Sequence, residues 1–219
     1  MAPVTVGMTR REHVHEAEPG DSGRGHSSIG IVKTVQIEIW ASNLTAEDLA
    51  GIDCVVRAWN VETGEQTCEK RVAREIVLPA NRSIDIAALA VPGVQCDEAR
   101  TVVAAYLMSA DDRQIARYVN WPEPLKYLHL PQPEQLTVRL ATKNSDGSGH
   151  IVDAIELSAE VPVKGLAFEV HEDESNAEAD AVRFDDNLVD LVPGETLRIA
   201  VKGAVTTTRF TTRYLGMPA

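Results

Sequence analysis

Val35-Gln36-Ile37-Glu38-Ile39-Trp40 alternates apolar and non-core residues one by one, and this period of two decides the fold class. Successive side chains of a strand point to opposite faces, so Val35, Ile37 and Ile39 share an apolar face while Gln36, Glu38 and Trp40 share the other. The pattern extends in both directions. Upstream, Val4, Val6 and Met8 alternate with Thr5 and Gly7. Downstream, residues 52–59 and 72–78 form two further runs, separated by the turn-like Val61-Glu62-Thr63-Gly64-Glu65 and stopped at Pro79. Residues 84–86 make a short run. Thr101 to Met108 is the longest apolar run, and the polar link Ser109-Ala110-Asp111-Asp112-Arg113 joins it to residues 115–119 as a hairpin.

Trp121-Pro122-Glu123-Pro124-Leu125-Lys126-Tyr127-Leu128-His129-Leu130-Pro131-Gln132-Pro133 holds four prolines in thirteen residues, which suits neither a helix nor a central strand. A second β series follows. Leu136, Val138 and Leu140 alternate with Thr137 and Arg139, and Ile155, Leu157, Ala159 and Val161 alternate with Glu156, Ser158 and Glu160, so both read as half-buried strands. Residues 166–170, 188–191, 197–201 and 207–214 complete about seven strands, with Pro193-Gly194 as a tight turn. The expected fold is all-β, two immunoglobulin-like β-sandwich domains in tandem. The first is expected over residues 1–124 with a flexible Gly/Ser/His/Glu-rich loop at 12–28, the linker over 125–133, and the second sandwich over 134–219.

Composition narrows the function. The 219 residues carry a formal net charge of −12, which repels phosphate backbones and anionic membrane surfaces, and no basic patch offsets it. Nucleic acid and membrane are therefore not expected partners. No apolar run approaches the ~20 residues needed to cross a bilayer. Residues 1–10 lack the charged and apolar regions of a signal peptide, so a cytoplasmic location is expected. Cys54, Cys68 and Cys96 are odd in number and widely spaced, which reads as reduced thiols. The sequons Asn43-Leu44-Thr45 and Asn81-Arg82-Ser83 read as unmodified turn residues in such a setting.

Tests for chemistry return little. Gly-x-Ser-x-Gly is missing, and Gly23-Arg24-Gly25-His26-Ser27-Ser28 has a serine where a dinucleotide loop needs its third glycine. His13, His15 and His26 lie near Glu12 and Glu16, but a Gly-rich loop does not fix three or four metal ligands. The acidic run Glu172, Asp173, Glu174, Glu178 and Asp180 lacks the order of a calcium loop. Asp185-Asp186-Asn187 either binds calcium or fixes a turn through side-chain hydrogen bonds, the commoner use. No catalytic, cofactor or metal residue is assigned. Trp40, Trp121 and Tyr127 are the candidates for a sugar or interdomain contact; Trp59 also suits a sandwich core, and domain-interface packing is the favoured reading for all three tryptophans.

Four stretches carry a family resemblance. Glu38-Ile39-Trp40-Ala41-Ser42-Asn43-Leu44, Asn81-Arg82-Ser83, Ile115-Ala116-Arg117-Tyr118-Val119-Asn120 running into the Trp121–Tyr127 segment, and Phe184-Asp185-Asp186-Asn187-Leu188-Val189-Asp190-Leu191-Val192-Pro193-Gly194-Glu195 resemble the C-terminal β-sandwich domains of fungal-type β-mannosidases, glycoside hydrolase family 2. Pro3-Val4-Thr5-Val6-Gly7-Met8-Thr9-Arg10 resembles the strand by which such enzymes leave their barrel. The resemblance implies a (β/α)₈ barrel upstream that carries both catalytic glutamates and removes terminal β-linked mannose with retention. Neither glutamate maps onto this sequence, so the chain alone is expected to be an inactive C-terminal portion whose partner is that barrel. A stand-alone carbohydrate-binding module, taking β-mannosidic oligosaccharide, or a protein-interaction module is the alternative. An unrelated adhesion domain is disfavoured by the missing signal peptide and disulfide pair.

Overall fold

The computed structural model describes residues 3–16, 31–90, 100–122, 124–144, 150–170, 182–205 and 209–217. Among these, regular structure is β apart from 3-10 geometry at Leu125–Tyr127 and at Arg100. The chain divides into two compact units, Met1–Ala58 with Thr67–Leu125, and Trp59–Gln66 with Lys126–Ala219.

The first unit is built on strands β1 (Val4–Glu16), β2 (Ile31–Asn43), β3 (Leu49–Asn60), β4 (Gln66–Leu78), β5 (Arg82–Ala90), β6 (Thr101–Met108) and β7 (Gln114–Asn120). They form a three-stranded sheet in the order β1-β2-β5 and a four-stranded sheet in the order β4-β3-β6-β7. The inward residues read from the sequence meet in one core: Val4, Val6, Met8, Ile37 and Ile39 from one sheet, with Ile52, Cys54, Val56, Val103 and Leu107 from the other. Burying such side chains contributes roughly 1.5–3 kcal/mol each, which is what holds two sheets face to face. The unbroken apolar run of β6 has its own cause, since Val102, Ala104 and Tyr106 are buried as well as Val103, Ala105 and Leu107.

Two strands run longer than their patterns predict. Residues 12–16, expected in a loop, are strand instead, because β1 stays paired with β2 through Glu12↔Val35 to Glu16↔Ile31. Residues 17–30 lie outside the described residues. Pairing here uses main-chain groups, which a Glu- and His-rich composition does not reveal. Likewise the run at 84–86 extends to the nine residues of β5, paired with β2 from Asn43↔Arg82 to Gln36↔Ala90. Arg82, Ser83 and Asp85 on this edge strand mask the alternation. The hairpin expected at 109–113 is present: the Ser109 N–H donates to Arg113 O (2.9 Å) and the Asp112 N–H to Ser109 O (2.9 Å).

The second unit contains β8 (Thr137–Asn144), β9 (His150–Ser158), β10 (Val163–Val170), β11 (Arg183–Phe184), β12 (Val189–Leu191), β13 (Leu197–Val205) and β14 (Phe210–Arg213). Its sheets run β11-β13-β9-β8 and β12-β10-β14. Ile155, Leu157, Leu166, Phe168, Leu191, Ile199 and Val201 fill the core, where Phe184 stacks on Phe168 at 5.4 Å between centroids. One expectation needs correction. Val138 and Leu140 are 37% and 39% exposed, although they pair with the fully buried Leu157 and Ile155. β8 is the edge of a four-stranded sheet facing a three-stranded one, so its inward face overhangs the core.

Candidate functional site

Period two places Trp40 on the outer face of β2, because Ile39 and Ala41 on either side are held in the core. Its cross-strand partners are Gly7 on β1 and Asp85 on β5. A Cβ at position 7 would collide with Cζ2, Cε2 and Cη2 of the indole. The ring therefore lies across the bare backbone of Gly7 and buries it, and Trp40 remains 38% exposed. Glycine in a strand interior costs about 1 kcal/mol relative to alanine, and here it provides the bed for the ring.

The rim of this platform is polar. Thr5 and Thr9 flank Gly7 on β1, and Glu38 and Ser42 flank Trp40 on β2. The Arg11 Nε–H donates to Glu38 Oε2 at 2.8 Å, and Ser42 Oγ shares a 2.6 Å hydrogen bond with Ser83 Oγ. Asp85 is exposed on β5, across β2 from Gly7. An aromatic face thus lies among carboxylates and hydroxyls, an arrangement suited to a molecule with one C–H face and a hydroxyl periphery.

The other candidate aromatics differ. Trp121 follows β7 in the other sheet of the first unit and is buried, so its ring is closed to a sugar in the chain as described. Tyr127, in the second unit, is 75% exposed and carries the Lys126 ammonium 4.8 Å from its ring centroid. Trp59 is buried without belonging to the core of either sandwich, and its Nε1–H has no hydrogen-bond partner among the described residues.

The residues that carry the family resemblance turn out to fix backbone geometry. The amide of Asn43, fully buried, uses all four of its valences. Nδ2 donates to Glu47 O (2.8 Å) and Leu78 O (2.9 Å), while Oδ1 accepts from Thr45 N (2.9 Å) and Thr45 Oγ1 (2.7 Å). This excludes Asn43 as a glycan acceptor in the folded chain. Asn81 stands in the β4–β5 turn at φ 52°, a conformation asparagine tolerates. Arg10 ties the two sheets of the first unit, with Nε donating to Asn120 Oδ1 (2.9 Å) and Nη2 to Thr101 O (2.8 Å).

In the second unit Asp185-Asp186-Asn187 acts as a turn-fixing element. Asn187 Oδ1 accepts from Phe168 N (2.9 Å) and Leu188 N (2.9 Å), and its Nδ2 donates to Phe168 O at 3.3 Å. The clamp holds Leu188 at φ 59°, a strained value for leucine, with its side chain 70% exposed. Asp190 Oδ1 accepts from Gly165 N (2.8 Å), and that glycine supplies φ 63° at the bulge in β10. Sequence reasoning found Asn187 as a turn residue but missed Gly7, Arg10 and the partners of Asp190, all of which act across strands.

Burial pushes the Cys54 thiol up to about 12, so it is a packing residue rather than a nucleophile. Among the described residues no three His, Cys, Asp or Glu side chains gather as metal ligands. The side chains of His13 and His15, all of His26 and the acidic run at 172–180 lie outside the described residues. Among the described residues no helix is long and apolar enough to cross a membrane.

Known proteins share this architecture. Residues 35–127 match the Mannosidase Ig/CBM-like domain. Beta-mannosidase B of Thermothelomyces thermophilus is 52% identical over 220 residues, covering 99% of this chain and 23% of the relative. Beta-mannosidase B of Aspergillus terreus is 30% identical over 205 residues, covering 92% and 21%. The chain therefore spans less than a quarter of the length of these relatives. Among solved structures, a β-D-mannosidase from Dictyoglomus thermophilum superposes with a TM-score of 0.58 at 14% identity, over 94% of this chain and 21% of that one. The exo-chitosanase CsxA of Amycolatopsis orientalis gives 0.55 at 14% identity, over 94% and 26%. Residues 35–127 are thus similar to a mannosidase Ig/CBM-like domain, and the whole chain resembles the C-terminal β-sandwich domains of fungal β-mannosidases.

Proposed function

We propose that these two sandwiches are a non-catalytic portion of a β-mannosidase and support the barrel that performs the hydrolysis. The observation that carries this reading is the 52% identity sustained over 99% of the chain but confined to 23% of the relative. Retaining hydrolysis requires two carboxyl groups about 5 Å apart on opposite sides of the scissile bond. In this reading both stand on a (β/α)₈ barrel, an architecture of about 250 residues that alternates strands with helices.

The supporting role also accounts for where the characteristic residues went. Arg10, Asn43, Asn187 and Asp190 spend their polar groups on backbone and interstrand bonds rather than on a cavity. Incubation of the pure chain with an aryl β-mannoside should give no turnover above the buffer rate. Turnover that follows the folded chain through successive purification steps would overturn the proposal.

A further inference from the structure

The platform at Trp40 has a use that mechanical support does not require. A tryptophan on an outer sheet face commonly lies against long neighbouring side chains. Here Gly7 removes the side chain beneath the ring, so one indole face rests on backbone and the ring stays open to solvent. We propose that this face is a carbohydrate subsite that stacks one pyranose unit of a β-1,4-linked mannosidic chain on Trp40.

The chemistry of the rim selects the ligand class. A β-linked mannopyranose chair presents the axial hydrogens of C1, C3 and C5 on one side, and these weakly positive C–H groups match the negative face of the indole. Its peripheral hydroxyls then point along the sheet. Glu38, next to Trp40 on the same face of β2, and Asp85, opposite it on β5, are the carboxylates that accept hydrogen bonds from these hydroxyls, and Arg11 holds the Glu38 carboxylate in position at 2.8 Å. Thr5 and Thr9 offer both donors and acceptors. The site is already formed: the strand register fixes Trp40 between Gly7 and Asp85, so little side-chain freedom is lost on binding.

The choice of a mannosidic chain rests on the supporting role proposed above, whereas the platform is a property of this chain alone. The two therefore fail separately. Titration of the ¹⁵N-labelled chain with β-1,4-mannobiose, followed at the indole N–H resonances, tests the platform, with Trp40→Phe assigning its signal. The Trp40 resonance should move saturably with a Kd on the order of 1 mM, while those of buried Trp59 and Trp121 stay in place. Trp40→Ala should weaken binding at least about tenfold, and Asp85→Asn about threefold, in folded variants with unchanged amide dispersion. Gly7→Ala should lift the ring from its bed and weaken binding without removing any polar group. Acyclic mannitol, which has hydroxyls but no ring face, should leave the resonance unmoved. No saturable shift, an equal response to mannitol, or full binding by Trp40→Ala would overturn the subsite and leave the supporting role untouched.

Discussion

Asn43 in the first sandwich and Asn187 in the second perform one task in opposite surroundings. Each uses a side-chain amide as a piece of backbone, reaching a segment that is distant in sequence. Asn43 is fully buried and bridges the end of β2 to Leu78 at the end of β4, strands of different sheets. Asn187 lies in an exposed turn and bonds both main-chain groups of Phe168 beside β12. A buried amide has no water to replace a lost partner, whereas an exposed one does. Identical chemistry thus has unequal consequences, set by burial.

The largest expected effect is at Asn43. Asn43→Ala removes four hydrogen bonds and takes the side-chain donor from the buried Leu78 carbonyl, while Glu47 O keeps the Thr45 hydroxyl, and it should cost roughly 2–4 kcal/mol in denaturant unfolding. A loss as small as that expected at an exposed site would show that water reaches the partners of Asn43. Asn187→Ala should cost about 1–2 kcal/mol, since its partners can turn to water. Aspartate sharpens the contrast. Asn187→Asp keeps the acceptor that serves Phe168 N and Leu188 N, so it should stay within about 1 kcal/mol of the native chain. Asn43→Asp faces an oxygen toward two carbonyl oxygens in a dry site and should be at least as damaging as Asn43→Ala.

Smaller effects follow from the strain beside Asn187. Leu188→Gly relieves a left-handed leucine whose side chain is exposed, so it should leave stability unchanged or raise it by about 0.5 kcal/mol. A marked loss would show that Leu188 packs more tightly than its exposure implies. The smallest effect concerns the β6–β7 hairpin. The Ser109 hydroxyl, helped by the backbone N–H of Asp111 and the charge of Arg113, holds the Asp111 carboxyl below its ordinary value of 3.8. A lowered folded value means the contribution is complete above pH 3.8 and is lost as pH falls through the lower folded value. Carbon-detected titration of the Asp111 carboxyl should show the depression in the native chain and its partial recovery in Ser109→Ala. An ordinary midpoint in the native chain would remove that role.

These cases also mark what the sequence makes legible. Alternation at residues 35–40 and the continuous run at Thr101–Met108 give strands and inward faces directly, because each depends on neighbours in the chain. The same alternation over-reads β8: Val138 and Leu140 point the right way, but an edge position leaves them exposed. Asn187 is recognisable as a turn residue, yet its partner Phe168 lies nineteen residues away and appears only once β10 and β12 are in register. Gly7 is the clearest instance. Nothing local distinguishes it from any strand glycine until the register sets Trp40 above it. Periodicity reports the facing of a side chain, and cross-strand register decides what it meets.

Support of a mannosidase barrel by these sandwiches is open to a domain exchange. In Beta-mannosidase B of Thermothelomyces thermophilus, the segment 52% identical to this chain would be deleted or replaced by this chain, and activity on an aryl β-mannoside measured beside the midpoint of thermal unfolding. The deletion should abolish stable, active enzyme, and the replacement should restore kcat with a midpoint within a few degrees of the parent. A deleted enzyme that retains both its activity and its thermal midpoint would show that the barrel does not need the sandwiches.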